Sequence, residues 1–338
     1  MNEQLERQFW RIRMRYTPQK GENDYSKTAW KLRQAGIWYG AWSASDFCQA
    51  MKENPNNPHD YLNRVPDQKS LIEKLGKKGA VGPSEIHTIK RFYGSSARDG
   101  LDGISENEWV VACFDEKIHL ARVVGKPESD LNNEELNRPH PEAGTRELWK
   151  FRKLADPMEF RLAALPDLYM LIPQAGQSNV YRLRAYRQAL QILLECKTEE
   201  GVRDRFEAMS NEERLQLLGP GSWESFCLGY LILEEQFLPT GLAVGRTLEG
   251  FDIVGRSSKT GRQILAQCKK DDDSKDIAES FLRKIEKYGT NVTPYYFAYH
   301  GCNNAPSNPK VIMITRENVL LWAQIEPGKS YLNNFFLK

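Results

Sequence analysis

The segment with the sharpest chemical content runs Gly250-Phe251-Asp252-Ile253-Val254, followed by Gln263-Ile264-Leu265-Ala266-Gln267-Cys268-Lys269. Both runs are apolar enough for strands, and in a strand the side chains at i and i+2 share a face. Gln267 and Lys269 therefore point together, and Cys268 points away. A carboxylate on one strand and an ammonium on the next can meet at a sheet edge. Such a set suits phosphodiester hydrolysis, which needs a hard divalent cation on oxygen ligands, a positioned water and positive charge facing the transition state. Asp252 is the natural ligand for Mg2+ or Mn2+. Gln267 offers its amide oxygen, the main-chain carbonyl of Cys268 a further donor, and Lys269 a charge that orients water or meets phosphate. Glu224, on a preceding helix, supplies a second acid. The same residues also read as an exposed strand running into a solvated turn, Lys269-Lys270-Asp271-Asp272-Asp273.

The elements around them follow from periodicity. Ser222 can cap a helix through Leu233, which Pro239 must end. Strands are expected at Phe251 to Val254 and Ile264 to Lys269, a helix at Asp276 to Tyr288, strands at Pro294 to Tyr299 and Val311 to Thr315, and a helical Asn318 to Ala323. This alternation predicts a mixed α/β sheet flanked by helices. Upstream, helical periodicity from about Arg184 to Leu218 puts Ala189, Ile192, Leu193 and Cys196 on one face, and Ser210 with Glu213 forms a capping-box pattern. Gly219-Pro220-Gly221 then breaks the helix.

A length of 338 residues suits two domains, each with its own core. Hydrophobic residues are 40% and charged residues 27%, with no apolar run near the roughly 20 residues a membrane helix needs. No secretory leader is visible before Trp10, so the expected location is cytoplasmic. The six cysteines show no CxxC pairing, and the five histidines no metal or triad spacing. A formal net charge of +2 excludes a strongly basic nucleic-acid coat but not a local groove. No GxxxxGK[ST] phosphate loop is present, which argues against nucleoside triphosphate hydrolysis.

Taken in order, Ser222-Trp223-Glu224-Ser225-Phe226, a helix, Gly250-Phe251-Asp252-Ile253-Val254 and Ile264-Leu265-Ala266-Gln267-Cys268-Lys269 resemble the Mrr-like branch of the PD-(D/E)XK restriction endonucleases. That branch carries a Phe-Glu near its first helix, a Gly-x-Asp strand, and Gln-x-Lys where others have Glu-x-Lys. Here Trp223 stands in place of Phe, and Glu249-Gly250-Phe251 replaces the usual Asp-Gly-Gly. The resemblance covers Gly221 to Ala323, with Lys310 to Thr315 as the late strand. It implies a magnesium-dependent endonuclease with Asp252, Gln267 and Lys269, and also Glu224, in the site.

Toward the amino terminus, Trp109 to Phe114 and Ile118 to Val124 read as a hairpin, with loops at Asn54 to Asp60 and Pro127 to Gly144. The run Ala35-Gly36-Ile37-Trp38-Tyr39-Gly40-Ala41-Trp42 holds aromatics that can stack on an extruded base or fill a core. Arg11, Arg13 and Arg15 alternate on an apparent strand, either to meet phosphates or as its solvated face. Phe9 to Met14, Ala35 to Trp42, Arg91-Phe92-Tyr93 and Glu108 to Gly125 together resemble the EVE-like, PUA-related domains fused to some restriction endonucleases. That resemblance implies a small β-barrel whose pocket reads a flipped, often modified, base, with Trp38, Tyr39, Trp42 and Trp109 as candidates.

The expected architecture is thus α+β in two domains: an EVE-like β-barrel over 1–183, a helical connector over 184–220, and an α/β restriction-endonuclease-like domain over 221–338. The expected activity is cleavage of double-stranded, possibly modified, DNA by a homodimer in antiviral restriction, without membrane association. Two other readings stay open: a DNA-binding module that has lost turnover, and an RNA-directed nuclease.

Overall fold

The computed structural model describes residues 7–16, 23–76, 81–94, 103–139, 146–170, 172–174, 179–240, 251–270, 275–300 and 308–336. The chain is mixed α+β and divides into two compact units, one of 1–163 with 173–191 and one of 164–172 with 192–338. Among the described residues no helix is long and apolar enough to cross a membrane.

The first unit begins with strands β1 (Phe9–Ile12), β2 (Arg15–Tyr16) and β3 (Asn23–Asp24), helix α1 (Ser26–Lys31) and strand β4 (Gln34–Ile37). Four helices follow: α2 (Ala44–Glu53), α3 (Pro58–Leu62), α4 (Pro66–Leu75) and α5 (Pro83–Tyr93). The chain then returns to strands β5 (Trp109–Phe114), β6 (Lys117–Ser129), β7 (Arg138–Pro139), β8 (Arg146–Glu147), β9 (Lys150–Arg161) and β10 (Val180–Arg182). The expected hairpin is β5 and β6. Its two-residue loop, Asp115-Glu116, has φ of +48° and +56° at both positions, the backbone that lets the strands keep their twist.

These strands form one six-stranded sheet in the order β10-β1-β5-β6-β9-β4, with β1 and β5 parallel. The expected barrel is corrected: the sheet is open. Its edge strands β10 and β4 span three and four residues, and β4 approaches β1 without pairing to it. Helices do the covering instead. Phe47 and Ala50 of α2, and Ile86, Ile89 and Phe92 of α5, share one core with Trp10, Val110, Ala121 and Val123 of the sheet. The β-rich reading expected no helices there and took Asn54 to Asp60 as a loop, although the start signals are in the sequence. Pro58, Pro66 and Pro83 each open a helix, where the missing N–H costs nothing, and Ser43 with Asp46 caps α2.

Helix α6 (Arg187–Cys196) carries the chain into the second unit, where α7 (Glu199–Glu207) and α8 (Asn211–Leu217) follow. Ser210 and Glu213 make the expected capping box. The stretch 184–220 is nonetheless no free connector, because α7 and α8 are built into the second unit. Arg214 of α8 donates to the Phe206 carbonyl and to Asn333 Oδ1 at 2.6 Å, and Phe206 packs on Phe336.

Beyond α9 (Pro220–Glu235) lie β11 (Phe237–Pro239), β12 (Ile253–Ser257), β13 (Gln263–Lys269), α10 (Lys275–Glu286), β14 (Val292–Ala298), β15 (Ile312–Ile314), α11 (Arg316–Gln324) and α12 (Gly328–Asn333). The sheet order is β11-β12-β13-β14-β15, antiparallel as far as β13 and parallel from there. Strand alternation sorts its two faces. Leu265 and Tyr296 meet Phe281 of α10, while Phe297 meets Tyr230 of α9. Pro239 does not end α9 directly. Gln236 does so with φ +48°, and Pro239 sits on the edge strand, where no ladder donor is required.

Candidate active site

Asp252 is placed one residue before β12, with its amide donating to the Ala266 carbonyl of β13 at 2.9 Å. This fixes its carboxylate over the end of β13. Oδ2 accepts from the Cys268 amide at 2.7 Å and from Gln267 Nε2. Oδ1 has no hydrogen-bond partner among the described residues. Both donors thus grip a single carboxylate oxygen and leave the other available.

Gln267 is 6% exposed and Lys269 half-buried, both on the α10 face of β13. Cys268 points to the opposite face and meets Cys227 of α9, thiol to thiol. Burial pushes both thiols up, Cys227 most strongly, so neither offers a thiolate to a soft metal. One turn before Cys227 on α9 sits Glu224. Burial raises its carboxyl, the Asp252 carboxylate raises it further, and the Lys269 ammonium pulls it back. Glu224, Asp252, Gln267 and Lys269 are therefore one electrostatic cluster built from α9, the start of β12 and β13.

The donor set is two carboxylates and an amide, hard oxygens that match Mg2+ or Mn2+ rather than zinc. Among the described residues no group of three or more His, Cys, Asp and Glu forms a ready metal cage. Mg2+ needs none, since it keeps several waters and is held by one or two carboxylates. The Glu249-Gly250 approach to Asp252 and the acidic turn 271–273 lie outside the described residues.

Lys270 departs from the solvated turn that the sequence suggested. It is buried, and its ammonium donates to the Gln216 and Leu218 carbonyls at 2.6 and 2.5 Å. Those are carbonyls at the end of α8, which the helix leaves without partners of its own. Lys270 thus ties the strand carrying Gln267 and Lys269 to α8. Nothing in a Lys-Lys dipeptide distinguishes the buried lysine from the candidate site residue.

Of the aromatic candidates of the first unit, Trp38, Trp42 and Trp109 are buried and Tyr39 is partly buried against the core. Trp42 is 0% exposed, under the Lys150 ammonium at 3.9 Å from its ring centre. Trp38 is 5% exposed, tilted against Trp149, and its indole N–H donates to the Leu136 carbonyl at 2.9 Å. Trp109 is buried at the start of β5, and Tyr39, at φ +69°, accepts from Asn179 Nδ2 at 2.8 Å. No base can stack on Trp38 or Trp42 as placed, because their faces are already occupied by core side chains. Arg11 is also buried, with Nη1 against Cys113 Sγ, so it meets no phosphate there; Arg13 is half-buried.

Comparison with known proteins yields nothing to lean on. No family model, curated protein or solved structure matches the chain.

Proposed function

We propose that the second unit is a divalent-metal-dependent nuclease centre acting on double-stranded DNA, with Asp252, Gln267, Lys269 and Glu224 as its working groups. The observation that carries this reading is the Asp252–Gln267 contact, which leaves one carboxylate oxygen open beside a strand that also bears Lys269. When bound, Mg2+ or Mn2+ would polarise the phosphate and make bound water more acidic. Asp252 would hold the ion through Oδ1, and the Gln267 amide would turn its oxygen toward it. Lys269 would face the phosphate, where a fixed ammonium stabilises the added negative charge. Glu224, made more basic by burial, would accept the proton of the attacking water. Cutting both strands takes two such centres, so a homodimer at cleavage and a restriction role in host defence belong to the same proposal.

The test is incubation of the full chain with supercoiled plasmid, with matched DNA carrying different cytosine modifications, and with duplex RNA, each with Mg2+, Mn2+ or a chelator. Metal-dependent DNA nicking that is lost in Asp252→Asn and Lys269→Met supports the reading. Preferential RNA cleavage redirects it to an RNA-directed nuclease. Tight DNA binding without any cleavage makes the chain a binding module.

A further inference from the structure

The first unit contains a cavity of about 500 Å³ between α1, the β5–β6 turn and β9. It lies at the opposite end of β4 from the run 38–42, since Arg33 precedes that strand and Trp38 follows it. Its size falls inside the roughly 300–1,000 Å³ typical of small-ligand sites.

Three rings make its wall. The His119 imidazole stacks on Phe114 at 3.7 Å and 4°, and Trp30 stands edge-on to both, at 5.5 Å from His119 and 6.2 Å from Phe114. Trp30 and Phe114 are only half-buried, in contrast to Trp38 and Trp42. His119 is 4% exposed; no side chain bonds its ring nitrogens, and the Phe114 backbone is the one hydrogen-bonding group that acts on the ring among the described residues. Its Nδ1 is 3.9 Å from Glu159, too far for a hydrogen bond. An imidazole has two polar nitrogens, so one backbone group leaves at least one of them for a ligand's donor or acceptor.

The mouth is cationic. Lys27 is paired with Asp115 at 2.7 Å and Lys117 with Glu159 at 2.6 Å, while Lys31 and Arg33 have no carboxylate partner among the described residues. The lining therefore joins an aromatic corner to two cations open to an anion.

We infer that this cavity binds one nucleotide unit, with its base against Trp30 and the Phe114–His119 stack and its phosphate at Lys31 and Arg33. Aromatic side chains grip any base through its π-face, and lysine and arginine meet phosphate. The ligand is either a free nucleotide or a base presented by a nucleic-acid strand. The inference does not depend on hydrolysis in the second unit.

Calorimetric titration of the full chain with the four deoxynucleoside monophosphates, the matching nucleosides, inorganic phosphate, a single-stranded oligonucleotide and an acidic peptide tests it. Mononucleotides should bind more tightly than either nucleosides or phosphate. Trp30→Ala should weaken them by about 5- to 150-fold, the range of one base–aromatic stack. Arg33 has φ +55°, a backbone asparagine tolerates, so Lys31→Ala with Arg33→Asn keeps the fold and should make nucleotide and nucleoside bind alike. Asp252→Asn should leave binding unchanged, which separates this site from the nuclease centre. An oligonucleotide bound more than tenfold tighter than a mononucleotide, with the same Trp30 dependence, assigns the site to a strand. Equal affinity assigns it to a free nucleotide. Phosphate binding as well as the nucleotides, the peptide outcompeting them, no nucleotide binding, or binding indifferent to both variants overturns the inference.

Discussion

Gln267→Glu places a second carboxylate directly beside Asp252, and the structure makes its consequence calculable. Asp252 Oδ2 now accepts from the Gln267 amide. The variant replaces that donor with a second negative charge on a residue only 6% exposed. Two unit charges about 4 Å apart repel by about 4 kcal/mol at an effective dielectric near 20. Loss of the hydrogen bond to a charged group adds about 1.5–3 kcal/mol, part of which relaxation recovers. A net penalty of about 4 kcal/mol lowers the melting temperature of a unit this size by roughly 8–16 °C.

That penalty has two escapes. One carboxyl can take up a proton, as paired carboxylates do, or a divalent cation can sit between them. Thermal melting of the full chain at about pH 8 in chelator should therefore show a strongly destabilised variant, and acidification toward pH 5 should narrow the gap. Millimolar Mg2+ should also recover most of the loss, while raising the parent protein much less. If the variant melts with the parent in chelator, or Mg2+ lifts both equally, the Asp252–Gln267 contact and the oxygen site built on it are refuted.

Three further outcomes follow from the same geometry. Asp252→Asn and Lys269→Met should each reduce plasmid cleavage by at least about 10²-fold, the usual loss for a group stabilising transition-state charge, in variants shown to be folded by circular dichroism. Comparable cleavage in either variant would remove that residue from the mechanism. Lys270→Met should leave two carbonyls at the end of α8 unpaired and cost about 2–4 kcal/mol in denaturant unfolding, with cleavage retained where the variant is folded. An unchanged unfolding midpoint would show that the tie to α8 is not structural.

Lys150 gives the pH dependence of the first unit. Burial lowers it to about 7 from an ordinary 10.5, although its ammonium donates to the Trp38 and Gly40 carbonyls. Between those values the unfolded chain holds the extra proton, so stability rises with pH across that window, by at most about 1.4 kcal/mol per pH unit. Below about pH 7 both states are protonated, and the penalty is constant. Lys150→Met should flatten this slope in unfolding measured across the window. Equal slopes in parent and variant would place the Lys150 proton elsewhere.

The second unit was legible because its signals are local and periodic. Each strand from Phe251 onward and the helices at 276–288 and 318–323 stand within a few residues of their expected bounds, since alternation with a period of two is written in consecutive side chains. The approach of Asp252 to Gln267 also follows once the two strands pair, as the register Ile253 to Ala266 requires. In the first unit the signals were present but ambiguous. Pro58, Pro66 and Pro83 mark a turn and a helix start with equal force, and only the packing of Ile86, Ile89 and Phe92 against the sheet shows which applies.

Burial is what the tertiary structure alone decided. Trp30 and Trp42 are the same residue type, and Lys269 and Lys270 are adjacent, yet one of each pair is buried structure and the other lines a candidate site. Composition and spacing set which groups are available to do chemistry. Which of them keep a face toward solvent depends on contacts between residues far apart in the chain, and those exist only in the folded molecule.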